Sequence, residues 1–386
     1  MGALSGLRLI QLQDRPPTET ASFLLAEMGM DVIRVEEPEA HASIGGGSPQ
    51  SPEDGTSRAA YDAVGRNKRS IILNLRTDAG RQAFYRLAGT ADVMLEGFRP
   101  GVTKRLGIDY ETIHNLAPDL VYCSLTGFGQ TGPYASIPVH DTEACAAGGA
   151  TAANIDVDGN PTVHGVLLGD VGGALHAALA IVSALLHRGK TGQGQHIDVS
   201  MAASVMTFQM GTASAYLRGG RRRPTGRFRG ALDLGAERCR DGKYLSCVNT
   251  EARLWELFCK AIGLPELISV RMSGPGWGDA IQKVRERLLT KTRDEWFTIL
   301  REAGASVAPV LEIDEVLRDP QMIHRGMLLE LEHPSLGKVH QPGFPIQFSE
   351  TPPEFRKFAP QRGEDTEQVL ADLGCTSQEI NELMSR

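Results

Sequence analysis

Asp170 is the side chain in this sequence best placed to do chemistry. It stands at the expected start of the longest helical stretch, residues 170–187, which is largely apolar. The partial positive charge of a helix N-terminus stabilises a carboxylate there. Asp is also a favoured helix cap, so the residue type alone leaves both roles open. His140, with Asp141 directly behind it, precedes this helix. An imidazole and a carboxylate suit proton transfer, because the pKa of each can be tuned toward neutrality. A histidine between elements is more commonly a surface or capping residue. Glu251 opens a second helical stretch, where a first-turn glutamate would complement the helix dipole. Arg99, Lys104 and Arg105 could pair with phosphates through charge-assisted bonds. Lys104 and Arg105 could equally well form a solvated helix face.

The elements that must position these groups alternate. Short apolar runs at residues 7–12, 31–35, 70–75, 92–95 and 120–124 read as strands, with helical stretches between them. That alternation implies an α/β fold with a parallel sheet and helices on its faces. Ligands of such a sheet bind at the carboxyl ends of its strands. Residues 41–54, rich in Gly, Ser and Pro, read as a loop. After helix 170–187 come a glycine-rich turn, a strand at 196–199 and a helix from Met201 toward Leu217. The basic, turn-rich run through Arg221, Arg222 and Arg223 marks a domain boundary. We therefore expect a large domain over residues 1–217 and a small α+β domain over 218–304. The small domain should hold a strand at 243–248 and helices at 251–262, 279–289 and 293–303. The segment 305–386 should return in extended form and end in a helical tail packed on the large domain.

Composition narrows the function classes. A net charge of −7 opposes a generic nucleic-acid or membrane-surface binder. Six cysteines with no CxxC pair fit neither a zinc site nor a disulfide framework, and suit a reduced cytoplasm. The N-terminal residues carry no signal-peptide pattern. The apolar stretch 171–186 is interrupted by Gly172, Gly173, His176 and Ser183, which favours a buried helix over a membrane span. A cytoplasmic protein is the expectation. Gly189-Lys190-Thr191 ends like a phosphate-binding loop, but Ala184 stands where that loop needs glycine. No GxSxG, HExxH or paired-cysteine metal motif occurs, and no metal is expected.

Several stretches together resemble the family of class III CoA-transferases and 2-methylacyl-CoA racemases. Asn67-Lys68-Arg69-Ser70-Ile71-Ile72-Leu73-Asn74-Leu75 is similar to the strand after that family's first loop. The run Glu96-Gly97-Phe98-Arg99-Pro100-Gly101-Val102, continued by Arg105-Leu106-Gly107, resembles its CoA-binding turn. Gly127-Phe128-Gly129-Gln130-Thr131-Gly132-Pro133-Tyr134 resembles the segment before its active site. Gly169-Asp170, entering a helix that ends in Lys190-Thr191-Gly192-Gln193-Gly194-Gln195, is the most diagnostic match.

The resemblance implies a Rossmann-like large domain, a smaller domain, and two chains interlocked as a homodimer. It implies an acyl-CoA substrate, with coenzyme A as part of that substrate and no tightly bound cofactor. Leu75, Gly97, Phe98, Arg99, Lys104 and Arg105 would hold the CoA, and backbone N–H groups near Asp141 would hold an oxyanion. In the transferases the residue matching Asp170 attacks the thioester; in the racemases it exchanges the substrate α-proton. The racemases pair it with a histidine matching His140, oriented by a glutamate matching Glu251. Because all three residues occur together, racemisation through an enolate by His140 and Asp170 is the leading expectation. CoA transfer through a covalent Asp170 intermediate is the alternative. Asn67-Lys68-Arg69, Phe128-Gly129-Gln130 and Gly169-Asp170-Val171 look more like the transferases, and Val139 stands where racemases commonly have glycine.

Overall fold

A computed structural model describes residues 1–13, 15–38, 59–156, 158–219, 235–270 and 274–384. The loop expected at 41–54 and the Arg221-Arg222-Arg223 run lie outside the described residues. The chain divides into two compact units. The first comprises Met1–Thr151, Val163–Ala213 and Ile323–Arg386; the second comprises Ala152–Thr162 and Ser214–Met322.

The first unit is built on six parallel strands. They are β1 (Arg8–Leu12), β2 (Asp31–Glu36), β3 (Lys68–Ile72), β4 (Val93–Glu96), β5 (Val121–Thr126) and β6 (His196–Ser200), in the order β3-β2-β1-β4-β5-β6. This is the doubly wound Rossmann order. Its central strands are buried on both faces, as the strands of a covered parallel sheet should be. β5, Val-Tyr-Cys-Ser-Leu-Thr, is buried at every position.

Successive side chains on a strand point to opposite faces, so each strand feeds two cores. Leu9, Val93, Leu95, Val121 and Cys123 meet α1 (Pro16–Glu27) and the long helix Leu168–Thr191 on one face. Ile10, Leu12, Met94 and Tyr122 meet α2 (Asp78–Ala88) and the C-terminal helices Thr366–Asp372 and Ser377–Met384 on the other. Strand β3 begins earlier than the expected residue 70 and ends at Ile72. Asn74 ends it: its carbonyl accepts the Thr77 N–H (3.1 Å) and hydroxyl (2.9 Å), and Thr77 then caps α2. The helix expected from Met201 toward Leu217 is two, Met201–Thr207 and Met210–Gly219. The extended return carries an antiparallel hairpin, Leu328–His333 with Gly337–Pro342.

Two cations sit inside this unit with no exposed surface. The Lys68 ammonium donates to Glu19 Oε2 (2.6 Å), Gln11 Oε1 (3.2 Å) and the Glu19 carbonyl (3.1 Å). Three donors thus find three acceptors, as a buried ammonium requires. Burial pushes the Glu19 carboxyl up, but Lys68 and Arg34 outweigh it and hold the group below its ordinary value. Arg66 forks onto both Glu27 oxygens (3.0 and 2.7 Å) and reaches Gln341 Oε1 (3.2 Å) and the Pro342 carbonyl (2.5 Å). Asn67, in the left-handed region at φ 63°, donates to Glu27 and to the Glu354 carbonyl and accepts the Arg356 N–H. The returning C-terminal segment is therefore pinned to the sheet beside β3.

The second unit is α+β. A three-stranded antiparallel sheet (Ala236–Arg238, Tyr244–Ser246, Ala308–Pro309) accompanies helices Ala252–Ala261, Trp277–Leu288 and Arg293–Glu302. Trp255, Phe258, Trp277 and Trp296 fill its core. The unit runs to Met322, past the boundary near Gly304 expected from the sequence. Arg293 explains why, since its guanidinium binds both Glu315 oxygens (2.9 Å each) and the Val310 carbonyl (2.9 Å).

The Lys68 network yields the first prediction. Lys68→Met leaves the Glu19 carboxylate buried without its ammonium and should destabilise the protein by about 3–5 kcal/mol. Adding Glu19→Leu should recover most of that loss. Urea unfolding of the single and double variants measures both effects. A single variant as stable as the wild type would mean the pair contributes nothing.

Candidate active site

The helix carrying Asp170 spans Leu168–Thr191 and ends where Gly192 turns left-handed at φ 74°. It is long and apolar enough to cross a membrane, yet half of it is buried within the protein. Its inward face is small: Gly169, Gly172, Gly173, Ala174, Ala177 and Ala178. A Cβ on Gly173 would lie 3.1 Å from both Leu125 and Met201, and one on Gly172 would lie 2.9 Å from Phe208. These glycines bring the helix close to the carboxyl end of β5.

Asp170 does not cap this helix. Leu167 is the N-cap and Asp170 the third helical residue, buried at 7% exposure. The side chain that accepts the helix N–H groups is Asp141. Its Oδ1 receives Gly169 N–H at 2.6 Å and Asp170 N–H at 3.0 Å. The Asp170 carboxyl is pushed up to about 6, first by burial and then by the neighbouring Asp141, against an opposing pull from His140. That ordering defines a desolvated carboxylate beside a like charge, the environment in which catalytic carboxyls are found.

His140 and Asp141 reach this place through the loop after β5. Gly127 allows it: a Cβ there would overlap Val139, at 1.7 Å from Cγ2. The Gly127 carbonyl accepts from Ala202 N–H (3.0 Å) and the Ser200 hydroxyl (3.2 Å), and Asp198 accepts the Gln130 N–H at 3.0 Å. The loop is thereby stitched to the end of β6. His140 is the N-cap of helix Asp141–Ala147, with its N–H donated to Glu143 Oε2 (2.9 Å) and its side chain exposed. The Asp141 backbone N–H is among the first amides of that helix, which lack intrahelical partners.

The basic turn sits at the carboxyl end of β4, next to the switch point between β1 and β4. Gly101 (φ 85°) and Gly107 (φ 70°) bracket the short helix Val102–Leu106 in left-handed conformations. Arg99, Lys104 and Arg105 are exposed, with Arg105 Nη1 3.3 Å from the Gly101 carbonyl. Phe98 packs against the core and Leu75 lies within it. A Cβ on Gly97 would lie 3.0 Å from Thr18 Cγ2 and 3.3 Å from the Leu125 carbonyl.

Glu251 belongs to the second unit, where it is the exposed N-cap of helix Ala252–Ala261. Two groups escaped the sequence reading. Glu96, under the basic turn, accepts the Phe98 N–H at 2.7 Å; burial pushes it up to about 7, with Ser124 and Phe98 opposing. Cys145 lies 3.6 Å from Asp141 Oδ2, on the same helix. Neither position carries a pattern that separates it from ordinary core.

The doubly wound sheet, with a desolvated carboxylate and a basic turn at the carboxyl ends of its strands, defines an α/β enzyme with a site for a phosphate-bearing ligand. The CoA-transferase family III profile matches residues 4–366, and the chain belongs to that family. Human succinyl-CoA:glutarate CoA-transferase is 29% identical, over 99% of this chain and 89% of its own length. Formyl-CoA:oxalate CoA-transferase of Afipia carboxidovorans is 31% identical over 96% of this chain and 93% of its own. Among solved structures, a CaiB/BaiF family protein from Brucella suis matches with a TM-score of 0.84 at 27% identity, covering 96% of this chain and 99% of that one.

Asp170 also makes a stability prediction. A carboxyl whose folded pKa is raised from 3.8 to about 6 stabilises the fold below pH 4 and loses that contribution as pH rises through 6. Asp170→Asn should therefore raise stability at pH 8 by about 1–3 kcal/mol, with no gain at pH 4. Paired urea titrations at the two pH values measure this. An equal effect at both would show that the carboxylate carries no burial penalty.

Proposed function

We propose that this protein transfers coenzyme A between carboxylic acids through covalent adducts on Asp170. The observation that carries this reading is a buried carboxylate, titrating near 6, in a chain similar over nearly its whole length to two CoA-transferases. Above pH 6 the carboxylate is ionised, and its burial removes the water that would blunt a nucleophile.

The Asp170 oxygen adds to the thioester carbonyl of the donor acyl-CoA, and the thiolate leaves to give a mixed anhydride. That thiolate attacks the Asp170 carbonyl of the anhydride and releases the donor acid, leaving Asp170 as a CoA thioester. The acceptor carboxylate adds to this thioester and expels the thiolate, forming a second anhydride. Attack of the thiolate on the acceptor's acyl carbon yields the new acyl-CoA and frees Asp170. Backbone N–H groups near Asp141 hold the developing oxyanions. Leu75, Gly97 and Phe98 line the nucleotide end, while Arg99, Lys104 and Arg105 pair with its phosphates. A second copy of this chain completes the assembly as a homodimer in the cytoplasm. The outward face of the Asp170 helix, with Val171, Leu175, Leu179 and Leu186 exposed, supports such a partner.

One observation favours the other chemistry of this resemblance, racemisation of a 2-methylacyl-CoA. His140 lies near enough to Asp170 to act on its charge, so an acid and a base are both at hand.

His140 separates the two. In transfer it handles no proton at carbon, so His140→Ala should leave CoA transfer to acids such as succinate or oxalate mostly intact. Racemisation would instead fall by about 10²–10⁴-fold in that variant. Asp170→Ala should lower transfer by at least about 10⁴-fold, the scale of removing a nucleophile. Hydroxylamine should trap the wild-type adduct at Asp170. Deuterium wash-in to both enantiomers of a 2-methylacyl-CoA, with no trappable adduct, would overturn the transfer reading.

A further inference from the structure

We propose that Asp141 is a positioning residue for Asp170, whose carboxylate aims the reactive side chain and supplies the negative charge that keeps it basic. The inference takes Asp170 as the reactive group, as above, and gives its neighbour a side-chain role separate from any use of its backbone N–H.

The geometry is that of a cap supplied from outside the helix. Leu167 occupies the N-cap and makes no side-chain cap bond, so the first amides need an acceptor from elsewhere. Asp141 provides it with one oxygen, at 2.6 Å from Gly169 N and 3.0 Å from Asp170 N. Its other oxygen lies 3.6 Å from Cys145 Sγ, which fixes the plane of the carboxylate. Gly169 makes the approach possible, since a Cβ there would lie 3.2 Å from Asp141 Oδ1, the Asp141 carbonyl and the Ala144 Cβ.

A consequence follows for Asp170. A helix N-terminus stabilises a carboxylate chiefly through its first N–H groups. Asp141 takes two of these, so the stabilisation goes to the cap and Asp170 loses it. Asp170 is left buried, with a like charge across the first turn. The charged and titratable groups acting there are Asp141, His140 and the Cys145 thiol, all from one segment. The neighbours from other elements near this turn, Phe208 at Gly172 and Leu125 with Met201 at Gly173, are apolar. Neutralising Asp141 therefore removes the negative charge that acts on Asp170 among the described residues and leaves the burial unchanged.

Asp141→Asn keeps an oxygen acceptor and removes the charge; Asp141→Ala removes both. The test is a carbon-13 titration of aspartate carboxyls, with the Asp170 signal assigned by its loss in Asp170→Asn. The Asp170 midpoint should fall in Asp141→Asn by about half a pH unit or more. The acid limb of the kcat profile should move to lower pH with it. Amide exchange at Gly169 and Asp170 should stay slow in Asp141→Asn and quicken in Asp141→Ala. An unchanged midpoint in the Asn variant would overturn the electrostatic role, and slow amides in the Ala variant would overturn the aiming role. If the Ala variant does not fold, the Asn midpoint decides alone. The titration needs no turnover, so it stands apart from failure of the transfer reading, which would show as deuterium wash-in to both enantiomers of a 2-methylacyl-CoA with no trappable adduct.

Discussion

The first unit depends on two ammonium- and guanidinium-bearing side chains buried beside one sheet edge. Lys68 and Arg66 have no contact with solvent, yet each donor of the lysine has an acceptor and the arginine forks onto one glutamate. Such pairs rarely add net stability over a well-packed apolar replacement, but losing one partner is costly. Their effect here is to specify geometry. Glu19 and Glu27 lie on α1, Gln11 on β1, and Gln341 and Pro342 on the returning C-terminal hairpin. One network therefore sets the pitch of α1 against the sheet and the seat of the C-terminal return. α1 packs in turn against the helix that carries Asp170.

From that frame the site is placed by small residues more than by polar ones. The Asp170 helix reaches the end of β5 because Gly172 and Gly173 leave room for Phe208, Leu125 and Met201. The loop bearing His140 folds over Gly127 because no side chain stands there. Three close approaches then bring Asp170, Asp141 and His140 together, from segments that share no local periodicity. Desolvation of Asp170 is the result of this packing. The shift in its titration is one consequence, and a lowered stability at high pH is the other.

The sheet was legible in the sequence because buried parallel strands read as apolar runs, and all six strands, the one at 196–199 included, lie within a few residues of where the sequence puts them. Boundaries drifted where a polar side chain ends an element, as at Asn74, or where a helix breaks without a glycine, as at Phe208. Asp170 was found by its place near a helix start, but its ordinary reading as a cap fails, because the cap is Asp141, far off in the chain. No spacing rule reveals a capping residue brought in by tertiary structure. Glu96 was passed over for a related reason: only burial makes that carboxyl unusual, and nothing in its local sequence announces it. The basic turn is exposed, with Gly101 and Gly107 confining it to a short helix at the surface.

The family assignment does not by itself choose between transfer and racemisation, since a fold carries many chemistries and the site decides. A carboxylate titrating near 6 serves either one, as a nucleophile toward a thioester or as a base toward an α-proton. What differs is the demand on a second group. Inverting a stereocentre needs a donor fixed on the face opposite the base, and a donor of that kind must be held to within fractions of an ångström. His140 has its backbone N–H fixed by Glu143, and its side chain is exposed. Transfer makes no such demand, because the donor arrives as a thioester and the acceptor as a carboxylate, and the one Asp170 carboxyl mediates between them in turn. The two chemistries therefore part at His140: stereoinversion needs it as the second acid or base, whereas in covalent transfer the Asp170 carboxylate alone carries the reacting groups.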